Sequence, residues 1–217
     1  MSVGLLGGLP GGGRGGMLPA MARPIVLCDV METLVHEPYY TDLPGFFGMT
    51  LAELAAAQHP TAWVEFEEGR IDEATYLAKF FRDGPAVDRE ALRAYMRRSY
   101  RWLDGVEGVL AELHAAGLTI HALSNYSTWY ELIEEKLHLS RYLAWTFVSC
   151  RTGVRKPNPE AFLGPCRTLG VASEACLLID DRPANVAAAR AVGMPAIPFR
   201  DATSLRGALA DLGILRR

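Results

Sequence analysis

Cysteine is scarce and unpatterned in this chain. Its four cysteines, Cys28, Cys150, Cys166 and Cys176, form no C-x-x-C pair and have no ligand spacing with histidine, which excludes the common zinc and dithiol motifs. Cys28 and Cys176 lie inside apolar runs and read as buried hydrophobes. Structural disulfides are therefore not expected, and a reducing compartment is. No apolar stretch approaches the roughly 20 residues that cross a bilayer as a helix, so no membrane partner is expected. Basic residues are not in excess either: 22 Lys and Arg face 25 Asp and Glu, for a net charge of −3. That balance argues against a nucleic-acid partner, since such binders are usually basic. No internal repeat is present, which removes the solenoid architectures.

Residues 1–22 lack acids and periodicity, are rich in glycine and carry a single arginine, Arg14. They read as a disordered tail, or as a stretch upstream of a start at Met17 or Met21. Transit peptides are typically rich in Arg and Ser, and this segment is not. The expected location is the cytoplasm, with an organelle stroma or matrix as the alternative if the segment is a transit sequence.

What is present is a soluble composition, half hydrophobic over 217 residues, enough for one core plus a small insert. From residue 103 onward the punctuation is regular. Strands are expected at 25–28, 118–123, 143–148, 176–179 and 196–199. Helices are expected at 106–116, 128–137, 158–169, 183–192 and 205–212, several closed by glycine at the C′ position. Alternation at this spacing predicts a parallel sheet with helices on both faces. Residues 36–102 carry helical stretches at 51–58, 61–68, 72–81 and 88–100 and no convincing strand. An insert directly after the first strand is placed to cover that strand's end as a lid. The expected organisation is a core of 23–35 and 103–217, with 36–102 as a helical cap insert.

In parallel sheets ligands sit at the carboxyl ends of the strands, and polar residues gather at those ends. The apolar run Ile25 to Cys28 stops at Asp29, a charge that is costly to bury unless a site uses it. Another run stops at Asp180 and Asp181. Carboxylates of this kind suit Mg²⁺, which favours one or two of them plus substrate phosphate. A third strand ends in Ser124 and Asn125, a hydroxyl and an amide opening towards a helix N-terminus. Arg155 and Lys156 add positive charge for an anion. The combination describes a metal-assisted site for an anionic substrate, with Asp29 a candidate nucleophile.

Four loops carry this chemistry in order: DVMETL from Asp29, LSN with Ser124 and Asn125, RKPNPEAF with Lys156, and IDDRPANVAAARAVGM with Asp180 and Asp181. Over roughly residues 23–212 the chain resembles the haloacid dehalogenase (HAD) superfamily hydrolases of the small helical-cap, subfamily I type. The resemblance implies an α/β fold, a three-layer Rossmann-like core of five main parallel strands with an inserted small α-helical cap. It implies Asp29 as nucleophile, forming an aspartyl intermediate, with Thr33 as local support. Ser124 and Asn125 would bind the phosphate, and Lys156 would steady both it and Asp29. Mg²⁺ would be held by Asp29, the backbone carbonyl of Met31, Asp180 and Asp181, supported by Asn185. The implied partner is a small phosphorylated metabolite; nothing sets an oligomeric state.

Position 31 departs from the pattern. HAD phosphatases usually carry a second Asp there, which protonates the leaving group and then activates water. General acid–base help of this kind is worth about 10²–10⁴-fold, and a thioether cannot give it. Glu32, in place of the usual Gly, His36, His59 and Glu65 are candidate substitutes. The reading is a Mg²⁺-dependent phosphatase weakened at this step. The alternatives are a catalytically weak HAD-fold binding or regulatory protein, and a metal-independent 2-haloacid dehalogenase, whose leaving halide needs no proton. The acidic pair Asp180-Asp181 favours phosphate chemistry over the dehalogenase. Trp63, Phe66, Tyr76, Phe80 and Phe81 are expected to form the insert's own small core, with one or two of them as candidates to line the substrate entrance. Arg97, Arg98 and Arg101 form either a solvated helix face or an anion-reading edge of the lid.

Overall fold

The computed structural model describes residues 23–216; the expected tail, 1–22, lies outside them. β1 (Ile25–Cys28) comes first. Six helices then occupy the region expected to be helical: α1 (Pro38–Thr41), α2 (Leu43–Phe46), α3 (Leu51–Ala57), α4 (Ala62–Glu67), α5 (Glu73–Ala78) and α6 (Arg89–Ser99). The alternating part follows as α7 (Val106–Ala115), β2 (Ile120–Ser124), α8 (Tyr130–Leu137), β3 (Ala144–Val148), α9 (Ser149–Thr152), α10 (Glu160–Leu169), β4 (Cys176–Asp180), α11 (Pro183–Ala191), β5 (Ala196–Pro198) and α12 (Ala202–Asp211). The five strands are all parallel, in the order β3-β2-β1-β4-β5. None of the described helices is long and apolar enough to cross a membrane.

Strand side chains alternate between the sheet's faces, and two hydrophobic clusters follow that alternation. Val26, Cys28, Ile120 and Ile179 join one cluster with Leu110 of α7, Ile133 of α8 and Leu209 of α12. Leu27, Leu123, Phe147 and Leu178 join the other, with Phe162 of α10 and Ala189 of α11. Helices therefore cover both faces, the three-layer arrangement expected. At about 25 cal/mol per Å² of apolar area, these two faces supply most of the drive to form the sheet.

Several boundaries differ from the sequence reading, each for a local reason. β2 begins at Ile120 rather than 118, because Gly117, at φ 76, turns the chain out of α7 and the Leu118 N–H still donates to the Leu113 carbonyl at 3.2 Å. α12 begins at Ala202 rather than 205, capped by the Asp201 carboxylate, which accepts from the Ser204 N–H at 2.7 Å. α10 begins at Glu160, whose N–H donates to Asn158 Oδ1 at 3.0 Å. α1, α2 and α9 were not anticipated: single turns of four residues are too short to display a helical period.

The aromatic residues of the helical region do not close on themselves. Phe66 and Tyr76 stack at 4.7 Å, and Trp63 meets Tyr126 and Trp129 of the alternating part at 5.7 and 6.1 Å. All belong to or pack against the same cluster as one face of the sheet. Polar ties reinforce the contact. The Ser149 hydroxyl donates to the Glu67 carbonyl, and the Trp129 indole N–H donates to the buried Glu73 carboxylate, which also pairs with Arg89 and Arg93 at 2.8 and 2.9 Å. Gly69, at φ +67, lets the two backbones meet: a Cβ there would lie 2.2 Å from the Cys150 carbonyl oxygen.

Candidate active site

Register decides which side chains meet. Cys28 lies level with Ile179 across β1 and β4, so the next residues, Asp29 and Asp180, emerge side by side at the same edge. The Asp29 N–H donates to the Ile179 carbonyl at 2.9 Å, which fixes that level. Lys156 lies between the two carboxylates, donating to Asp29 Oδ1 at 2.8 Å and Asp180 Oδ2 at 2.6 Å. All three are buried. The second Asp29 oxygen accepts from Thr33 Oγ1 at 3.2 Å. Both oxygens are thus held, and the carboxylate has a fixed orientation.

Asp180 is satisfied on every side. Its Oδ1 accepts from the Arg182 N–H and Asn185 Nδ2, both at 2.9 Å. Asp181 is not: its Oδ1 is buried without a hydrogen-bond partner. Asp29, Asp180 and Asp181 each present an oxygen within 4.8 Å of the others. Burial pushes the Asp29 carboxyl up to about 7, against the pull of the Lys156 ammonium, with Asp180 and Asp181 adding to the push. Asp181 is raised by the same causes, burial and then Asp180. Burial works against the Lys156 charge too, but Asp29 and Asp180 outweigh it and hold the ammonium protonated. A cluster of three carboxylates with one lysine is short of positive charge, and an orphaned carboxylate oxygen within it is the mark of a cation site. The donor set, all oxygen, fits Mg²⁺.

The anion side has its own orphan. Ser124 Oγ, at the end of β2, is 2 % exposed and has no hydrogen-bond partner among the described residues. Asn125, expected on the phosphate, spends its side chain elsewhere. Its Nδ2 donates to the Lys156 carbonyl and its Oδ1 accepts from the Lys156 N–H, both at 2.8 Å. The amide grips the backbone of the residue that bridges the carboxylates.

Above this group lies a cavity of about 300 Å³. Asp29, Met31, Lys156 and Asn185 line its base, and Trp63, Tyr76 and Trp129 line the side made by the helical region and the residue that caps α8. Arg155 and Arg182 also reach it. Sequence reading passed over Arg182, and it passed over two further acids that line the cavity, Glu37 and Glu67. Glu67 pairs with Arg155 at 2.6 Å, yet burial lifts its carboxyl to about 7. Glu37 is likewise lifted to about 7 by burial. The one signal for Glu37 in the sequence was its place before Pro38, a helix N-cap position.

None of the suggested substitutes for a second aspartate lines the cavity. Glu32 accepts from the Glu37 N–H at 2.7 Å, His36 bonds Asp42 at 2.7 Å, His59 accepts from the Thr61 N–H, and Glu65 pairs with Lys79. Arg97 pairs with Glu135, Arg98 lies over Tyr95 and Arg101 reaches towards Asp42, so these arginines form an outer face rather than an anion-reading edge.

The comparisons with known proteins agree on a family. The family model for haloacid dehalogenase-like hydrolases matches residues 25–193. A chloroplast flavin mononucleotide hydrolase of Arabidopsis thaliana is 49% identical over 191 residues, covering 88% of this chain and 78% of that protein. A phosphoglycolate phosphatase of Xanthomonas campestris is 31% identical over 130 residues, covering 56% of this chain and 59% of that protein. Among solved structures, a HAD family enzyme of Bacteroides thetaiotaomicron, in complex with magnesium and inorganic phosphate, superposes with a TM-score of 0.68. It shares 17% identity, over 82% of this chain and 95% of that one; this likeness is one of fold.

Proposed function

The chain belongs to the haloacid dehalogenase-like hydrolase family, and from that premise we propose that it is a Mg²⁺-dependent phosphatase working through an aspartyl-phosphate on Asp29. We further propose that its substrate is a phosphate monoester carrying a flat aromatic group, with flavin mononucleotide the first candidate. One observation carries the reading: an aromatic-walled cavity has the bonded pair Asp29 and Lys156 in its lining, with the buried, unpartnered Ser124 hydroxyl at the end of β2, next in sequence to the lining residue Asn125.

Each residue has work to do in that scheme. The phosphate settles at the base of the cavity, where Ser124 Oγ and the Lys156 ammonium meet its oxygens. Thr33 and Lys156 aim the Asp29 carboxylate at phosphorus, so attack needs little reorganisation. Asn125 fixes the lysine through its backbone, and Asn185 fixes Asp180. Asp29, Asp181, Asp180 and the Met31 carbonyl would hold Mg²⁺, which supplies charge neutralisation to the carboxylate and phosphoryl oxygens when bound. The helical region 36–102 acts as the cap, and Trp63, half-buried on the cavity wall and backed by the buried Tyr76 and Trp129, offers the substrate a ring for stacking.

Hydrolysis of flavin mononucleotide by the full chain, with Mg²⁺ and with chelator, tests the reading. Mg²⁺-dependent release of phosphate that disappears in Asp29→Asn is expected. Equal rates in wild type and Asp29→Asn would sink it. The chloroplast location of the Arabidopsis relative favours an organelle stroma over the cytoplasm for this chain, which imaging of a fluorescent fusion to the full chain would decide.

Met31 favours a second reading, a protein that binds phosphate esters and turns them over weakly. Phosphate binding by calorimetry with turnover no faster than in Asp29→Asn would support it.

A further inference from the structure

We propose that Glu37 is the general acid and base of this site, taking the part for which Met31 has no chemistry; the inference rests on the phosphatase reading above. Three features of the molecule lead to it. First, Glu37 lines the same cavity as Asp29, Met31 and Lys156, whereas Glu32, His36, His59 and Glu65 do not. Second, it is not consumed by a cation. Its carboxylate accepts from the Tyr39 N–H at 3.1 Å, and the charge of Arg182 acts on it only weakly, after burial, Tyr39, Glu32 and Glu67. Glu67, the other acid on the cavity wall, is ion-paired with Arg155 at 2.6 Å. Third, Glu37 is built into place. Its N–H is held at 2.7 Å by Glu32 Oε1, and Glu32 itself sits at φ 55, a conformation that side chains other than Gly, Asn and Asp adopt rarely. The two departures from the family pattern, at 31 and 32, then form one device: the turn no longer carries the acid and instead positions a replacement six residues on.

The surroundings suit a proton carrier. Glu32 and Glu67 are the neighbouring acids, Arg182 the neighbouring base, and Tyr39 the capping partner. Tyr76, Tyr100 and Tyr126 feel the Glu37 charge and are kept neutral by burial. Burial holds the carboxyl at about 7, where an acid that must first give and then take a proton is most effective. In the first step Asp29 Oδ forms a bond to phosphorus, the bond from phosphorus to the leaving oxygen breaks, and that oxygen takes the Glu37 proton with its electron pair, leaving as the alcohol. In the second step Glu37, now carboxylate, takes a proton from water. The water oxygen bonds to phosphorus, and the electron pair of the phosphorus–Asp29 bond returns to the carboxylate. Phosphate leaves and Glu37 is protonated again.

The test is Glu37→Gln in the full chain with Mg²⁺, on flavin mononucleotide and on p-nitrophenyl phosphate, with thermal melts to check folding. On flavin mononucleotide kcat should fall about 10²–10⁴-fold with KM changed less than about threefold. On p-nitrophenyl phosphate, whose leaving group needs no proton, one equivalent of nitrophenol should appear in a burst, followed by slow turnover as the aspartyl-phosphate waits for its base. The alkaline limb of the wild-type pH profile should vanish in Glu37→Gln and return in Glu37→Asp; Glu37→Asp alone carries the test if Glu37→Gln does not fold. A kcat within threefold of wild type, or a loss that falls on KM alone, would overturn the proposal. So would the same signature appearing in Glu67→Gln instead. Wild type no faster than Asp29→Asn is the separate result that removes the phosphatase reading and this inference with it.

Discussion

The base of the cavity is made of charges tied down by hydrogen bonds, and its roof is made of rings tied down by packing. At the base, Asp29, Lys156 and Asp180 form a continuous chain with contacts of 2.6–2.8 Å, and Thr33, Asn125 and Asn185 hold it from behind. In the roof, Trp63, Phe66, Tyr76 and Trp129 lie 4.7–6.1 Å apart, edge to face, tilted or stacked. A charged base tolerates no substitution without leaving a buried partner unpaired. A packed roof tolerates many, provided volume and shape are kept. The base therefore sets the reaction and the roof sets what is brought to it.

The largest effect should come from breaking the base. Asp29→Asn removes the nucleophile and leaves Lys156 with one anionic partner instead of two. Turnover should fall by on the order of 10⁴-fold or more on every phosphate ester, large or small. A variant that lost activity on flavin mononucleotide but kept it on phosphoglycolate would show that the base and roof are not divided in this way.

A change in the roof should do the opposite. Trp63→Leu keeps apolar bulk and removes a ring. Stacking of an aromatic group is worth about 0.5–1.5 kcal/mol beyond its area, so KM for flavin mononucleotide should rise about 2–10-fold with kcat nearly unchanged. Steady-state kinetics on phosphoglycolate, which has no ring, should be unaffected. Equal losses on both substrates would mean that Trp63 supports the fold rather than the substrate.

The same division explains what was legible in the sequence. The base announced itself because each member sits at the end of an apolar run or beside Gly or Pro, where a charge has no structural reason to be. Asp29, Ser124, Lys156, Asp180 and Asp181 could all be picked out, and the sheet follows from the same runs. Asn125 was seen but its bond was not: whether an amide faces ligand or backbone depends on the approach of a loop 31 residues away. The roof was legible only in part: one or two rings of the insert were expected at a substrate entrance, but not which ones. Trp63 and Tyr76 read as the core of an insert, because nothing in a helical period says that Tyr126 and Trp129 of another segment will close against them. Glu37 was missed for a related reason. It caps a four-residue helix whose direction is set by tertiary contacts, and one acid beside a proline has no signature until a cavity is placed next to it.

Glu67 joins the two halves, and pH should expose it. Burial raises its folded-state pKa to about 7, above the ordinary value near 4.3. A raised carboxyl adds stability that is fully present below the unfolded value and is lost as pH rises through the folded one. Between about pH 4 and pH 7 the protein should lose on the order of 2–4 kcal/mol through this group, net of the opposing pull of Arg155. Glu67→Gln should flatten that part of a stability-against-pH curve measured by denaturant unfolding without metal. An unchanged slope would mean that the Arg155 pair keeps Glu67 ionised throughout and that roof and base are electrically joined at every pH.

The smallest effect on stability should come from Glu32→Gly, and its smallness is what makes it useful. At φ 55 a residue with a Cβ carries about 1–2 kcal/mol of strain that glycine does not. Against that gain stands the lost hydrogen bond to the Glu37 N–H at 2.7 Å, worth about 1 kcal/mol, and the greater freedom of a glycine in the unfolded chain, worth about 0.5–1 kcal/mol. The terms nearly cancel, so the melting temperature should move by no more than about 2–4 °C, the shift expected of roughly 1 kcal/mol in a chain of this size. Activity should not cancel in the same way. Glu37 loses its anchor while the base of the site, Asp29 through Asp181, keeps every bond described above. A drop in kcat on flavin mononucleotide, with an unchanged melt and an unchanged burst of nitrophenol from p-nitrophenyl phosphate, would place the loss at Glu37. A melt that fell far while kcat held would assign Glu32 to the fold alone and leave the turn at residues 31–32 without a part in the chemistry.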